Sequence, residues 1–403
     1  MTILLVAFES GRWGPARLPA ALAKAGFKAA ALCPNDNALA HTAFLSEYFQ
    51  LNDVHSSRKL EQRLCEVMKT IRPKLIIPCD ERTVAYLHSL VRQPCASSRL
   101  GNEIMDIIRV SLGDPKRFEA LLLKDQTLAL AREYAIATPE SKTVCSPQTA
   151  IEAAREIGFP VFLKRSFSWA GEGVVRCDTE EQIERAFEKL CKKRRLALLR
   201  RLAKRLVHRD WYPADSRIQV QKCIKGESAL YCGVAWNGKM LAGFAGIRKG
   251  TVGVNGPSTH VWIGHHEAIQ QASQTMIKAL GATGFIGFDF MIESRTGKVF
   301  LIECNPRPVQ VNHLGVRIGV DLCAALAKEI SGQFSANPGF ADRSERIAIY
   351  PAAKLGQNAE MSADYLDAPY DDPPLMKFMR RAVAFNSEAV KPLPLAAAAR
   401  SGL

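Results

Sequence analysis

The stretch that decides the fold runs from Gly284 to Pro308 and reads GFIGFDFMIESRTGKVFLIECNPRP. Apolar residues alternate from Phe288 to Ile292 and again from Val299 to Cys304, which is the periodicity of two β-strands. The polar residues ESRTGK between them include a glycine and predict a turn. The sequence therefore predicts an antiparallel hairpin.

Two carboxylates are predicted to face each other across this hairpin. Asp289 and Glu303 are equidistant from Thr296, so an unbulged pair of strands places them directly opposite, with Asn305 on the same face. Like charges at such positions destabilise a sheet, so a bound cation is the favoured explanation, and these oxygen ligands suit Mg²⁺ that holds phosphates. Two solvated carboxylates on an exposed face are the alternative. The other face is predicted to be core and carries Phe288, Phe290, Ile292, Phe300, Ile302 and Cys304.

The run LIECNPRP resembles the metal-binding hairpin of the ATP-grasp superfamily. In that superfamily Asp or Glu, then Glu, then Asn hold two Mg²⁺ ions on the phosphates of ATP. The resemblance implies that Asp289, Glu303 and Asn305 are the metal ligands, with Glu303 bridging the ions. It also implies that Arg307 lies near the substrate or the transferred phosphate. Mn²⁺ is the alternative ion.

A phosphate-binding loop is expected upstream, in the segment FPVFLKRSFSWAGEGVVR from Phe159 to Arg176. The pattern predicts a buried strand, a loop and a second strand. In the superfamily this strand carries a lysine onto the α- and β-phosphates, a role that the resemblance assigns to Lys164. The loop then lays backbone N–H groups over the β- and γ-phosphates, because glycine allows close approach to an anion. The loop residues implied are Ser166, Ser168, Gly171 and Gly173, whereas Phe167, Trp169 and Glu172 depart from the usual pattern.

The segment RIQVQKCIKGES, from Arg217 to Ser228, resembles the superfamily's hinge, where main-chain groups hold adenine. The resemblance implies backbone contacts from Lys222, Cys223 and Ile224. It assigns Glu227 to the ribose hydroxyls, with a turn carboxylate as the alternative. Gln221 stands where many members have Glu, and its amide oxygen can still accept a hydrogen bond from the adenine amino group.

Two further basic residues are candidates for the site. Asp114 is predicted to cap a helix that has Pro115 in its first turn, so Lys116 lies at the positive end of that helix. A lysine is unfavourable there unless an anion is near, and the resemblance implies that it reaches the nucleotide phosphates. Arg248 is implied as a group that stabilises charge in the transition state, with Lys249 as the neighbouring alternative.

The N-terminal part predicts a different structure. The runs TILLVAF, FKAAALC and KLIIPCDE alternate with helical segments, which predicts a parallel sheet covered by helices. The segment SGRWG lacks the G-x-G-x-x-G spacing of a dinucleotide site. The region instead resembles a pre-grasp domain. Its candidates for substrate contact are Ser10, Gly11, Arg12 and Glu81, beside Asp80 at the end of a strand.

The chain is therefore expected to be an α/β protein, α+β in its nucleotide-binding part, with an ATP-grasp fold behind a parallel-sheet pre-grasp domain. The expected divisions are 1–112 for the pre-grasp domain and 113–225 for the central helices and the lid. The C-terminal subdomain with the Mg²⁺ site is expected at 226–333, and a partly irregular extension at 334–403.

Composition restricts the class of protein. The 403 residues are 47% hydrophobic and 23% charged, which is ordinary for a globular protein with two to three cores. No run approaches the length of a membrane span, and MTILLVAFES predicts a strand rather than a signal peptide. Eleven scattered cysteines without a C-x-x-C pair favour reduced thiols in a cytoplasmic protein over disulfides or zinc.

Positive charge is concentrated in one insertion, residues 188–209, which holds ten Lys and Arg residues against one Glu. The segment therefore carries nine of the fourteen net positive charges, and its leucines recur at near-helical spacing. It is expected to be a solvated helical face, with an anionic membrane surface or an acidic partner as alternatives, which would make the protein membrane-peripheral. Nucleic acid is not expected, because no aromatic residues interleave with the cations.

The resemblance as a whole implies an ATP- and Mg²⁺-dependent carboxylate–amine ligase. A small-molecule carboxylate would be activated as an acylphosphate and attacked by an amine or similar nucleophile, with release of ADP and phosphate. Bicarbonate activation of the carbamoyl-phosphate-synthase or biotin-carboxylase type is the alternative reaction. A non-catalytic ATP-binding scaffold is the alternative from another class.

Overall fold

A computed structural model gives the fold of the chain. It describes residues 1–10, 13–92, 100–168, 173–191, 217–252, 257–333, 339–355 and 362–389. Within these ranges the strands form three sheets, of four, seven and four strands. Most of the basic insertion, from residue 192 to residue 209, lies outside the described ranges.

The N-terminal domain is a parallel sheet covered by helices, as the sequence predicts. Its strands are β1 (Thr2–Val6), β2 (Lys28–Cys33), β3 (Glu47–Gln50) and β4 (Leu75–Pro78), in the order β3-β2-β1-β4. Its helices are α1 (Leu18–Lys24), α2 (Ser57–Ile71), α3 (Glu81–Arg92) and α4 (Asn102–Leu112). Every residue of β4 is buried, which explains its unbroken apolar run.

Asp80 closes the carboxyl end of this sheet. Its Oδ2 accepts hydrogen bonds from the backbone N–H groups of Phe8 at 2.6 Å and Glu9 at 3.1 Å. Its Oδ1 accepts one from the N–H of Thr83 at 2.8 Å and another from the Thr83 hydroxyl at 2.9 Å. The side chain is completely buried. This carboxylate therefore ties the loop after β1 to the start of α3.

The lid is built on the second four-stranded sheet. The chain enters it through α5 (Phe118–Leu122) and α6 (Lys124–Glu133). Its strands are β5 (Ser141–Val144), β6 (Val161–Arg165), β7 (Val174–Cys177) and β8 (Ile218–Lys222), all antiparallel in the order β5-β8-β6-β7. The helices α7 (Pro147–Ile157) and α8, helical from 180 to 191, pack on it and share a core separate from the rest of the molecule.

The largest sheet carries the predicted hairpin. It contains β9 (Gly226–Trp236), β10 (Lys239–Thr251), β11 (Ser258–Gly264), β12 (Gly284–Glu293) and β13 (Val299–Asn305), with α9 (Glu267–Leu280) and α10 (Leu322–Ile330) packed on it. Buried residues of this sheet and of the N-terminal sheet belong to common core clusters. The two domains therefore share apolar cores.

The C-terminal extension is more regular than the sequence predicts. It supplies β14 (Glu345–Ile349) and β15 (Tyr365–Asp367), which extend the large sheet to the order β13-β12-β9-β10-β11-β14-β15. It also forms α11 (Ala352–Leu355) and α12 (Pro373–Ala389). The predicted division at residue 333 therefore does not mark the end of the large sheet.

The hairpin register contains a bulge that the sequence analysis did not predict. Near the turn, Ile292 pairs with Val299 and Phe290 with Leu301, which is one residue out of the unbulged register. The bulge skips Ile302 and thereby restores the predicted register further along.

The bulge also changes which side chains of β13 are core. Leu301 is completely buried, because it lies opposite Phe290 on the apolar face. Phe300 and Ile302, which were predicted to be core, are only half-buried. A one-residue shift of register moves each side chain to the opposite face of a sheet, which explains the difference.

The hydrogen bonds of Asp80 lead to a prediction about stability. Asp80→Ala leaves three buried donors without an acceptor, so we expect a loss of about 3 kcal/mol or more and a clearly lower unfolding temperature. Asp106→Ala, which breaks only an exposed ion pair with Arg109, is the control and should leave the midpoint nearly unchanged. Thermal unfolding by circular dichroism compares them. Equal midpoints for the two variants would contradict a structural role for Asp80.

Candidate active site

The centre of the site is the pair Asp289 and Glu303, directly opposite each other on β12 and β13 as predicted. Each carboxylate contacts a cation from another element. Nη2 of Arg248, on β10, donates to Oδ1 of Asp289 at 2.7 Å, and Nζ of Lys124, at the start of α6, lies 3.0 Å from Oε2 of Glu303. The two positive charges offset the repulsion between the carboxylates.

The environment separates the pKa values of the two carboxyl groups. Burial raises the pKa of Asp289 to about 6, with a further contribution from the charge of Glu303, although Arg248 opposes the shift. Burial also acts to raise the pKa of Glu303, but Lys124 and the hydrogen bond with Asp289 outweigh it and lower that pKa to about 2. The surroundings therefore favour the charged form of Glu303 and disfavour that of Asp289.

Lys164 is buried on β6, as its predicted role requires. Burial lowers its pKa to about 8, and the positive charge of Lys124 adds to this effect. Two lysines close enough to disfavour each other's charge are stabilised by an anion that contacts both. This arrangement suits a polyphosphate.

Lys124 also reaches the phosphate-binding loop predicted between β6 and β7. Its Nζ donates to the carbonyl oxygen of Ser168 at 3.3 Å and to the Ser168 hydroxyl at 3.0 Å. A Cβ atom on Gly173 would lie 2.4 Å from Cβ of Ser168, so only glycine fits there. The hydroxyl of Ser166 is bonded to Asp125. Gly171, Trp169 and Glu172 lie outside the described residues.

Asn305 and Arg307 follow the pair of opposed carboxylates at the end of the hairpin. Nη2 of Arg307 donates to Oδ1 of Asn305 at 3.1 Å and also to Glu81, at the start of α3. Nη1 donates to the carbonyl of Pro308, whereas Nε is buried without a partner among the described residues. Arg307 therefore joins the hairpin to the N-terminal domain and retains one donor for a ligand.

The hinge differs from its prediction in one respect. The N–H of Lys222 donates to the carbonyl of Glu140 at 2.8 Å, and that of Cys223 to the carbonyl of Pro160 at 3.2 Å. These two donors are therefore not available to a base. Of the backbone contacts predicted for residues 222–224, only those made by the carbonyl groups and by the N–H of Ile224 remain available to a base.

Glu227 lies just beyond the hinge, at the start of β9. It is exposed and forms an ion pair with Lys249 of β10. A ribose would have to compete with that lysine for the carboxylate, so the role of Glu227 stays a prediction.

Two buried amides lie before the hinge on β8. Gln219 and Gln221 are 4% and 2% exposed, and Oε1 of Gln219 and Nε2 of Gln221 lack hydrogen-bond partners among the described residues. Gln219 is paired across the sheet with Lys164. Unpartnered buried amide atoms beside Lys164 fit a nucleobase, because a base can satisfy them.

Lys116 is not brought to this site by any contact that the structure describes. It is exposed in a 3₁₀ turn, Pro115–Arg117, where Oδ1 of Asp114 accepts a hydrogen bond from its backbone N–H. The sequence analysis did not include Lys124 among its candidates. The chain is extended at Leu123 and a second helix begins at Lys124, so the same argument about a lysine at a helix start applies there.

The substrate-contact candidates of the N-terminal domain are only partly brought together. Glu81 contacts Arg307 of the site. Ser10 is exposed, and its hydroxyl donates to Asp36 at 2.8 Å. Gly11 and Arg12 lie outside the described residues.

The donor set at the centre fits Mg²⁺. It consists of two carboxylates and the amide oxygen of Asn305, all hard oxygen ligands. The described ranges contain no cluster of three or more His, Cys, Asp or Glu residues placed to hold a metal, so no competing site was found in them. None of the described helices is both long enough and apolar enough to cross a bilayer.

Comparison with known sequences supports this interpretation. Residues 124–204 match the family described as carbamoyl-phosphate synthase L chain, ATP binding domain. The carbamoyl phosphate synthase large chain of Lachnoclostridium phytofermentans is 23% identical over 221 residues, which cover 55% of this chain and 19% of the relative. The chain thus spans about a fifth of the length of this relative.

Comparison with solved structures shows the fold. The biotin carboxylase domain of Hydrogenobacter thermophilus 2-oxoglutarate carboxylase, solved with MgADP and bicarbonate, has a TM-score of 0.61 at 15% identity, over 85% of this chain and 73% of that chain. The L-amino acid ligase of Bacillus licheniformis has a TM-score of 0.58 at 12% identity, over 86% and 79%. The chain therefore has an ATP-grasp fold that carries opposed carboxylates on its hairpin, the fold that the resemblance of the run LIECNPRP implies.

Proposed function

We propose that this protein is an ATP- and Mg²⁺-dependent ligase that activates a small-molecule carboxylate as an acylphosphate, which an amine then attacks. The observation that carries the proposal is the arrangement at Glu303. Lys124 contacts this carboxylate, Asp289 lies opposite it, and the charges of Glu303 and Asp289 act on Lys164. Cations for phosphates and carboxylates for metal ions are thus held in one cleft.

Each group has a role in the proposed reaction. Lys124 and Lys164 would hold the phosphates of ATP, and Asp289, Glu303 and Asn305 would hold Mg²⁺. Bound Mg²⁺ would neutralise the charge that develops on the phosphoryl oxygens. Asp289 and Glu303 now contact Arg248 and Lys124, so these pairs must open when metal and nucleotide bind.

The bonds are exchanged in two steps. In the first, an oxygen of the substrate carboxylate bonds to the γ-phosphorus, and the bond from that phosphorus to ADP breaks. In the second, the amine bonds to the acyl carbon, phosphate leaves with the electron pair of its bond, and the amine loses a proton. Arg307, with its unused Nε, is proposed to orient the substrate carboxylate, and Arg248 to stabilise the transferred phosphoryl group.

Bicarbonate activation is the second candidate. The match to the carbamoyl-phosphate synthase family and the bicarbonate bound to the H. thermophilus domain favour it. ADP release measured with bicarbonate and with a panel of carboxylates, each with and without amines, separates the reactions. A scaffold without turnover would release no ADP in any combination.

The role of Glu303 leads to a prediction about turnover. Glu303→Gln removes the charge of a proposed metal ligand, so we expect ADP production to fall by at least about a hundredfold while the fold is retained. Glu267→Gln, at an exposed position of α9, is the matched control. Because Lys124 and Arg248 already offset the paired carboxylates, removal of one charge should not raise the unfolding temperature of the metal-free protein. ADP production near the wild-type rate would rule out this assignment.

The two lysines at helix starts lead to a second prediction. Lys124→Ala should weaken ADP binding about tenfold or more, because a charge-assisted contact with phosphate is lost. Lys116→Ala changes the same residue type at an exposed position and should have an effect of less than about twofold. Calorimetric titration with ADP and Mg²⁺ measures both. A larger loss for Lys116→Ala would restore that residue as the phosphate ligand.

The basic insertion at 188–209 stays a prediction, as does a cytoplasmic or membrane-peripheral location. Cosedimentation with acidic vesicles over a salt series tests the anionic surface, because such binding weakens as salt screens the charges.

A further inference from the structure

The face of β8 that carries Gln219 and Gln221 is turned toward the cleft between the lid sheet and the hairpin of β12 and β13. Across the lid sheet, Gln221 pairs with Phe162 and Gln219 pairs with Lys164. The negative charges of Asp289 and Glu303 act to raise the pKa of Lys164, so this face is turned toward the hairpin that carries them. The glutamines therefore lie along the cleft between the phosphate-binding lysine and the hinge.

Each glutamine leaves one amide atom unused. Oε1 of Gln219 is an acceptor without a donor, and Nε2 of Gln221 is a donor without an acceptor, within the part of the chain that the structure describes. Rotation of an amide group by half a turn exchanges its donor and acceptor ends. The cleft thus presents a donor and an acceptor that can exchange places.

Adenine and guanine differ in where each base presents a hydrogen-bond donor and an acceptor. Adenine presents an amino donor at position 6 beside an acceptor at N1, whereas guanine presents an oxygen acceptor at position 6 beside a donor at N1. A glutamate at residue 221 could only accept and would therefore favour the amino group of adenine. A glutamine can pair with either base.

We propose that Gln221, together with Gln219, allows this site to bind guanine nucleotides as well as adenine nucleotides. The inference rests on the nucleotide site of the proposed function and concerns only which base enters it. The N–H groups of Lys222 and Cys223 already donate to carbonyl groups of the chain, so these two donors cannot distinguish the bases.

The test compares ADP and GDP on the full chain in the presence of Mg²⁺. Calorimetric titration should give wild-type dissociation constants within about tenfold of each other. Gln221→Glu should weaken GDP relative to ADP by about tenfold or more, because its carboxylate faces the guanine oxygen without a donor. Gln333→Glu makes the same change at an exposed position and should leave the ratio unaltered.

A second variant guards against misfolding of Gln221→Glu. Gln221→Met removes the amide without adding a charge and should weaken ADP and GDP by similar factors. If wild-type protein binds ADP more than about a hundredfold better than GDP, and Gln221→Glu leaves that ratio unchanged, the inference is overturned while the proposed function stands. If the wild type binds neither nucleotide, both are overturned.

Discussion

Two carboxylates held opposite each other are the constraint on which the site depends. Asp289 and Glu303 would repel strongly without compensation, and each is held by a cation from a different element, Arg248 of β10 and Lys124 of α6. Because Lys124 also bonds Ser168, the same charge connects the phosphate-binding loop to the large sheet. The lid has its own apolar core, so polar contacts such as these connect it across the cleft.

Ion pairs and hydrogen bonds connect the hairpin, and the segment that follows it, to the N-terminal domain and the C-terminal extension. Arg307 bonds Glu81 of the N-terminal domain at one end of the site. Beyond it, Asp367 of β15 is buried and accepts hydrogen bonds from His313 at 2.9 Å and Arg17 at 3.1 Å. A buried carboxylate with two such partners fixes geometry, because both of its oxygens are hydrogen-bonded only while both partners stay in place. The C-terminal extension thus connects the N-terminal domain with the loop after the hairpin.

The hairpin shows how far sequence reasoning reaches. Alternation and a turn were enough to place Asp289 opposite Glu303, but the counting assumed no bulge. The true turn is offset by one residue, and the bulge at Ile302 cancels that offset. The predicted pairing of Asp289 with Glu303 was therefore correct, although the assumed register near the turn was not. The prediction that Ile302 is core was wrong because of the same bulge, which buries Leu301 instead. Bulges depend on how neighbouring strands twist, which local patterns do not report.

Other differences also came from interactions beyond local sequence. The chain is extended at Leu123, and the helix that begins at Lys124 was not predicted, so this lysine was not recognised as one at a helix start. The strands β14 and β15 are short and form by pairing with the edge of a sheet whose other strands are distant in sequence. Hinge donors were assigned without knowing that carbonyls of Glu140 and Pro160 already accept from them.

The charge arrangement without ligands also determines how ligands must bind. Lys124 holds Glu303, and Arg248 holds Asp289, so a metal ion that arrives alone must displace two cations that already compensate these carboxylates. If a nucleotide binds together with the metal ion, its phosphates would pair with Lys124 in place of Glu303, and Glu303 would then be available to the metal. Each ligand therefore lowers the cost of binding the other, and by reciprocity the coupling is equal in both directions. The cations that stabilise the carboxylate pair are the groups proposed to contact phosphate, so nucleotide and metal are expected to bind as one complex.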